Sequence, residues 1–101
     1  MRIPTRRAPT HPGEMLLEEF LRPLGMTQAK LANSIRVPYQ RINELTNRRR
    51  SMTPSTALRL AKYFGTSAEF WMSLQLRWDL YRVHHQELKE LKKIRAKATN
   101  V

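Results

Sequence analysis

The sequence predicts an all-α fold: five helices in one small domain, followed by a basic helical extension. Two observations carry that prediction. Apolar residues return every three or four positions through most of the chain, and no stretch alternates apolar with polar as a half-buried strand does. Prolines and glycines at Pro12, Pro23, Gly25, Pro38, Pro54 and Gly65 cut the 101 residues into helix-length segments with short connections.

The first helix opens near Pro12, whose fixed φ suits a first-turn position, with Glu14 at the positive end of the macrodipole. Leu17, Leu21 and Leu24, flanked by Leu16 and Phe20, form its apolar stripe, and Pro23 and Gly25 close it. Thr27 is a good N-cap for the second helix, which runs to Ser34 and carries Leu31 and Ile35 on one face. After a turn at Arg36 and Val37, Pro38 opens a third helix to about Thr46. It buries Ile42 and Leu45 and leaves Tyr39, Gln40, Arg41, Asn43 and Glu44 outside. A basic loop, Asn47 to Ser51, leads to Thr53 and Pro54, a cap followed by a first-turn proline. The fourth helix turns Ala57, Leu58, Ala61 and Phe64 inward and ends at Gly65. Thr66 and Glu69, three apart, read as a capping box for the fifth helix. That helix carries Trp71, Leu74, Trp78 and Tyr81 on one stripe, and the charged stretch from Gln86 to Lys97 is compatible with further helix. The expected organisation is a basic N-terminal arm over 1–10, the helical domain over 11–84 and the basic extension over 85–101.

Charge is unevenly spread. The net charge of +11 divides into +3 over residues 1–11, −1 over 12–35, +4 over 36–50, +1 over 51–81 and +4 over 82–101. Concentrated positive charge is the electrostatic footprint of a nucleic-acid partner, since neutralised phosphates release counterions. The chain has no cysteine, hence neither a disulfide framework nor a thiolate metal site. No run of eighteen apolar residues or signal-peptide pattern is present, so a cytoplasmic protein without a membrane partner is expected. Adjacent His84 and His85 point in different directions on a helix and His11 is far away in sequence, so no metal site is expected. With no nucleophile paired to a base and no glycine-rich phosphate loop, neither a catalytic residue nor a cofactor is expected.

The second and third helices have the makings of a helix-turn-helix. Ala32 supplies the small residue where two helices touch, while Leu31, Ile35, Val37, Ile42 and Leu45 lock their angle. The third helix then presents Tyr39, Gln40 and Asn43 near its N-terminus, the end that enters a major groove. Gln and Asn can each hold adenine through a paired donor and acceptor, and Arg41 can reach guanine or phosphate. Thr27 and Gln28, at the amino end of the second helix, are placed for a phosphate. Arg48, Arg49 and Arg50 follow the reading helix, where they can grip the backbone. Such turns usually hold glycine at positive φ. Arg36 occupies that place at a cost of about 1 kcal/mol, which a phosphate contact would offset.

With these residues in place the chain resembles a known family. His11-Pro-Gly-Glu-Met-Leu16, Pro23-Leu-Gly-Met-Thr-Gln28, Val37-Pro-Tyr-Gln-Arg-Ile-Asn-Glu44, Ala57-Leu-Arg-Leu-Ala61 and Phe64-Gly-Thr-Ser-Ala-Glu-Phe-Trp-Met72 are similar to the HigA antitoxins, a branch of the phage-repressor-like (XRE) regulators. The likeness runs from about His11 to Leu80. It departs at Arg36 and near Arg48, where the family has glycine, and the basic C-terminal extension lies outside it. The resemblance implies a lambda-repressor-like fold and a homodimer formed through the last helices. It also implies binding to an inverted-repeat operator in the protein's own promoter and neutralisation of a HigB-type toxin, a ribosome-dependent mRNA endonuclease. Carried over by position, Gln28 would contact phosphate, Tyr39, Gln40 and Asn43 the bases, and Arg41, the following arginines and Thr53 the backbone.

The aromatic stripe of Trp71, Leu74, Trp78 and Tyr81 can be core or dimer seam; its beginning suits the core and the part near Trp78 the seam. A stand-alone XRE-type regulator without a toxin would share every DNA-facing residue. A protein-interaction module that had lost DNA binding would not need to keep the polar face of the third helix.

Overall fold

A computed structural model describes residues 8–97. Arg2, Arg6 and Arg7 of the basic arm lie outside the described residues, as do the last four residues of the extension. The described part is all-helical. Helix α1 is one rod made of Pro12–Leu16, a π-helical turn at Leu17–Leu21, and Arg22–Leu24. Helices α2 (Gln28–Ile35), α3 (Tyr39–Thr46), α4 (Pro54–Phe64) and α5 (Ala68–Gln86) follow, then a single turn, α6 (Leu88–Leu91). One core joins them: Leu16 and Leu21 of α1, Leu31, Ala32 and Ile35 of α2, Ile42 and Leu45 of α3, Ala57 and Leu60 of α4, and Trp71 of α5. Val37 in the helix-turn-helix turn and Met52 in the basic loop complete it.

Most caps fall where the sequence puts them. Thr27 accepts from the Lys30 N–H at 3.1 Å. Thr53 caps α4 with Pro54 in its first turn, and Gly25 and Gly65 end α1 and α4 at φ 62° and 74°. The differences have physical reasons. Pro23 does not close α1. The wide turn ahead of it, in which the Arg22 N–H bonds back to Leu17, loosens the ladder where a proline ring would press on the preceding carbonyl. That extra residue per turn also rotates the apolar face. Leu16 and Leu21, five apart, are buried, while Leu24 is left 60% exposed. Pro38 serves as the N-cap of α3 in extended conformation, so the helix starts at Tyr39.

In α4 the inward face is Thr56, Ala57 and Leu60, with Ala61 and Phe64 half-buried. Leu58, expected inside, is 63% exposed because it lies about 100° round the helix from Ala57. Ser67, not Thr66, caps α5 and accepts from the Phe70 N–H. The Thr66 hydroxyl is occupied by the Trp71 indole N–H at 2.8 Å. The extension past α5 is helical for one turn only, and residues 94–97 leave the helix. Its charged side chains have no core to pay for ordering them.

Gly13 decides how α1 meets α3. A Cβ there would overlap the Leu45 carbonyl oxygen and come within 3.1 Å of the Thr46 Cα. Glycine in a first turn, ordinarily a poor choice, allows the two backbones to touch. Gly13→Ala is therefore expected to destabilise the fold by about 1–3 kcal/mol or more in urea unfolding, whereas Gly25→Ala, with open space around it, should show only the smaller cost of its positive φ.

Candidate nucleic-acid interface

The outer face of the helix-turn-helix is built from the amino ends of α2 and α3. Leu31, Ala32 and Ile35 seat α2 against Ile42 and Leu45 of α3, so the angle between the helices is set by buried apolar contact. The turn between them contains Arg36 at φ 62°. Its N–H bonds to Asn33 and the Val37 N–H to Ala32, at 3.3 and 3.0 Å, which satisfies the last carbonyls of α2 as a glycine-ended helix would. Arg59 of α4 adds what the sequence did not announce. Its Nη1 donates to the Ile35 carbonyl at 2.9 Å and to the Arg36 carbonyl at 3.4 Å. A cation at the negative end of α2 thus holds the strained turn, with Arg36 itself exposed.

The polar residues of α3 form a linked set. The Asn43 amide donates to Gln28 Oε1 at 3.2 Å and to the Tyr39 hydroxyl at 3.4 Å, tying α3 to the first turn of α2. Asn47 donates back to the Asn43 carbonyl and side-chain oxygen. Gln40 makes one long bond, at 3.4 Å, to Glu44. Tyr39 is 52% exposed, Gln40 is exposed and Arg41 half-buried. Thr27, Gln28, Tyr39, Gln40 and Asn43 therefore come together on one face. Thr53, at the amino end of α4, caps its own helix.

The three loop arginines do different things. Arg48, at φ 61°, is the second arginine in the glycine-favouring region, and the Arg48 and Arg49 N–H groups bond back to Leu45 and Glu44. Its side chain pairs with Glu14 at 3.0 Å and lies over the Trp78 ring, so it faces α1 and α5. Arg50 gives two hydrogen bonds to one Glu44 oxygen, at 3.0 and 2.8 Å. Arg49 is exposed and makes no side-chain bond among the described residues. The loop is anchored from below by Gln75, a buried polar residue of α5 that sequence reasoning passed over. Its Oε1 accepts from the Met52 N–H at 2.7 Å and its amide donates to Asp79. A glutamine four residues after Trp71, on the inward stripe, was the available signal.

Trp71 is fully buried, so this residue of the expected dimer stripe belongs to the core and has no surface for a second copy. Leu74, Trp78 and Tyr81 stay half-buried. Trp78 meets His11 edge-on at 4.9 Å, and the Tyr81 and His85 rings lie 4.3 Å apart at a tilt of 38°.

Two helices joined through a tight turn, the second with a polar outer face and a basic loop behind it, define a helix-turn-helix DNA-binding protein. The helix-turn-helix family model matches residues 17–71. The chain is 46% identical over 70 residues to virulence-associated protein I of Dichelobacter nodosus, a stretch covering 69% of this chain and 65% of that protein. It is 35% identical over 88 residues to antitoxin HigA-1 of Vibrio cholerae, covering 87% of this chain and 83% of that one. Among solved structures, Pseudomonas aeruginosa antitoxin HigA with the higBA promoter superimposes at a TM-score of 0.85 with 34% identity, covering 89% of this chain and 99% of the other. The chain belongs to the HigA branch of the helix-turn-helix family.

His11 makes the stability of the fold depend on pH. It is buried, caps α1 by accepting from the Gly13 N–H at Nδ1, 2.9 Å away, and so must be unprotonated there. Burial, and then the Arg48 guanidinium, hold its pKa below the ordinary imidazole value against weaker pulls from Asp79 and Glu14. The unfolded chain takes up this proton at about pH 6.5 and the folded chain only lower down. The His11 contribution is therefore complete above about pH 6.5 and lost as pH falls through the window below. Urea unfolding at about pH 7.5 and about pH 5.5 should show this loss, and His11→Asn, which caps without titrating there, should remove that part of it.

Proposed function

We propose that this protein is a sequence-specific DNA-binding antitoxin that represses its own operon and neutralises a HigB-type mRNA endonuclease toxin. The observation that carries the DNA half is the linked set Gln28–Asn43–Tyr39. It holds three hydrogen-bonding side chains in place at the end of a helix shaped to enter a major groove, so little ordering remains to be done on binding. Gln40 and Asn43 read bases, with Tyr39 beside them. Gln28 and Thr27 meet a phosphate at the amino end of α2, and Arg41 and Thr53 meet the backbone on either side. Of the loop arginines, Arg49 is the one that grips a phosphate, since Arg48 and Arg50 are already paired.

One reading helix covers one half-site, so an inverted repeat requires two protomers related by a two-fold axis. The second half of α5 supports that arrangement. None of the residues from Leu76 to Gln86 is fully buried, and Leu76, Leu88 and Leu91 are 48%, 37% and 39% exposed. Leu74, Trp78 and Tyr81 lie on the same helix and would continue the seam. The toxin half rests on family membership, with the stand-alone regulator as its competitor. Co-expression with the neighbouring gene separates them: a small basic protein that co-purifies and whose toxicity is silenced supports the antitoxin, and a neighbour of another kind leaves a regulator alone.

Against the duplex upstream of its own gene, Gln40→Ala and Asn43→Ala should each cost about 1–3 kcal/mol and relax sequence preference. Arg49→Ala should weaken binding to every duplex alike and reduce the salt slope by about 1. Preference unchanged in both α3 variants would move the reading face elsewhere.

A further inference from the structure

A groove of about 710 Å³ runs between the C-terminal part of α2 and the outer side of α4. Ile35 lies at its floor, and Leu58 and Tyr63, 63% and 40% exposed, stand in its wall. Arg36, Arg59 and Lys62 line it as well, and no acidic side chain does. A lone exposed leucine is ordinary surface, but Leu58 and Tyr63 standing on either side of Lys62 and Arg59 around α4, with Arg36 lining the same groove, form a surface with a definite complement. Arg59 uses Nη1 on the Ile35 and Arg36 carbonyls and Nε on Ser55, while Nη2 makes no bond among the described residues.

We propose that this groove docks an acidic amphipathic helix of a partner protein. Apolar side chains of that helix, spaced three and four apart, would pack on Leu58 and Tyr63, and its carboxylates would reach Arg36, Arg59 Nη2 and Lys62. Charge selects this occupant. A second copy of a chain with net charge +11 brings the wrong sign, and duplex DNA offers phosphates but nothing to cover Leu58 and Tyr63. The groove leaves the outer face of α3 clear, so a docked partner and DNA can be held together.

Fluorescence anisotropy of the full chain with three synthetic helical peptides of about 18 residues tests it. The first has a leucine stripe and glutamates elsewhere, the second has lysine for each glutamate, and the third keeps the glutamates but has serine for each leucine. The first should bind at least about tenfold tighter than either of the others. Leu58→Asp and Tyr63→Ala, both at exposed positions, should each weaken it by about tenfold while leaving affinity for the protein's own upstream duplex unchanged. Equal binding of the serine peptide would mean that net charge alone is at work and would overturn the proposal. So would unchanged peptide binding in both variants, or an equal loss of duplex affinity, which would assign the groove to the DNA interface.

Discussion

Helix α3, whose first turn carries the exposed polar face, is held by its far end. Where Gly13 meets Leu45 and Thr46, the backbones of α1 and α3 are in direct contact, and no other residue type fits there. Much else is arranged around this contact. His11 caps α1 one turn away and leans on Trp78. Glu14, on the next residue, holds Arg48, and Arg48 covers the same tryptophan. Gln75 ties Met52 to α5 from below. The last turn of α3 and the loop behind it are thereby fixed on three sides, while the first turn projects with its polar side chains outward. A helix used as a probe needs this asymmetry, because its tip must be exposed and its aim must not drift.

Two arginines occupy backbone positions that favour glycine, held there by bonds to neighbouring elements. A left-handed residue with a side chain costs about 1–2 kcal/mol. At Arg36, two backbone hydrogen bonds close the end of α2 and Arg59 adds charged bonds to the exposed carbonyls. Such bonds contribute about 0.5–1.5 kcal/mol each when neutral and about 1.5–3 when charged, so the turn is retained without glycine. At Arg48 the backbone bonds recur, and the side chain gains Glu14 and the Trp78 ring. Glycine at position 48 would lose those side-chain contacts along with the strain, whereas glycine at position 36 would keep the backbone and Arg59 bonds and lose only the strain.

Much of the fold was legible because its signals are local. Thr27, Thr53, Gly25 and Gly65 act through their own neighbours, and Leu31, Ile35, Ile42 and Leu45 through helical spacing. The polar face of α3 was equally readable, because Tyr39, Gln40 and Asn43 stand among residues that alternate with its core positions. What escaped depends on partners far along the chain. The π turn moved Leu24 out of the core, and no spacing rule foresees an inserted residue. Leu58 and Leu60 look alike in sequence, and only the packing of α4 chooses between them. Gly13, Gln75 and Arg59 act on residues between 23 and 33 positions away. Three consecutive arginines read as one patch, yet Glu14 and Glu44 divide them into two that are paired and one that makes no side-chain bond among the described residues.

If this frame aims the polar face of α3 into a major groove as proposed, basic charge alone will not account for binding. The most direct measurement is an anisotropy titration of the wild-type chain with the duplex upstream of its own gene and with a scrambled duplex, at two salt concentrations. A preference of about a thousandfold or more for the upstream duplex, with two protomers per site, is the expected result. Equal and steeply salt-dependent binding to both duplexes would contradict it, since the positive charge would then explain everything measured.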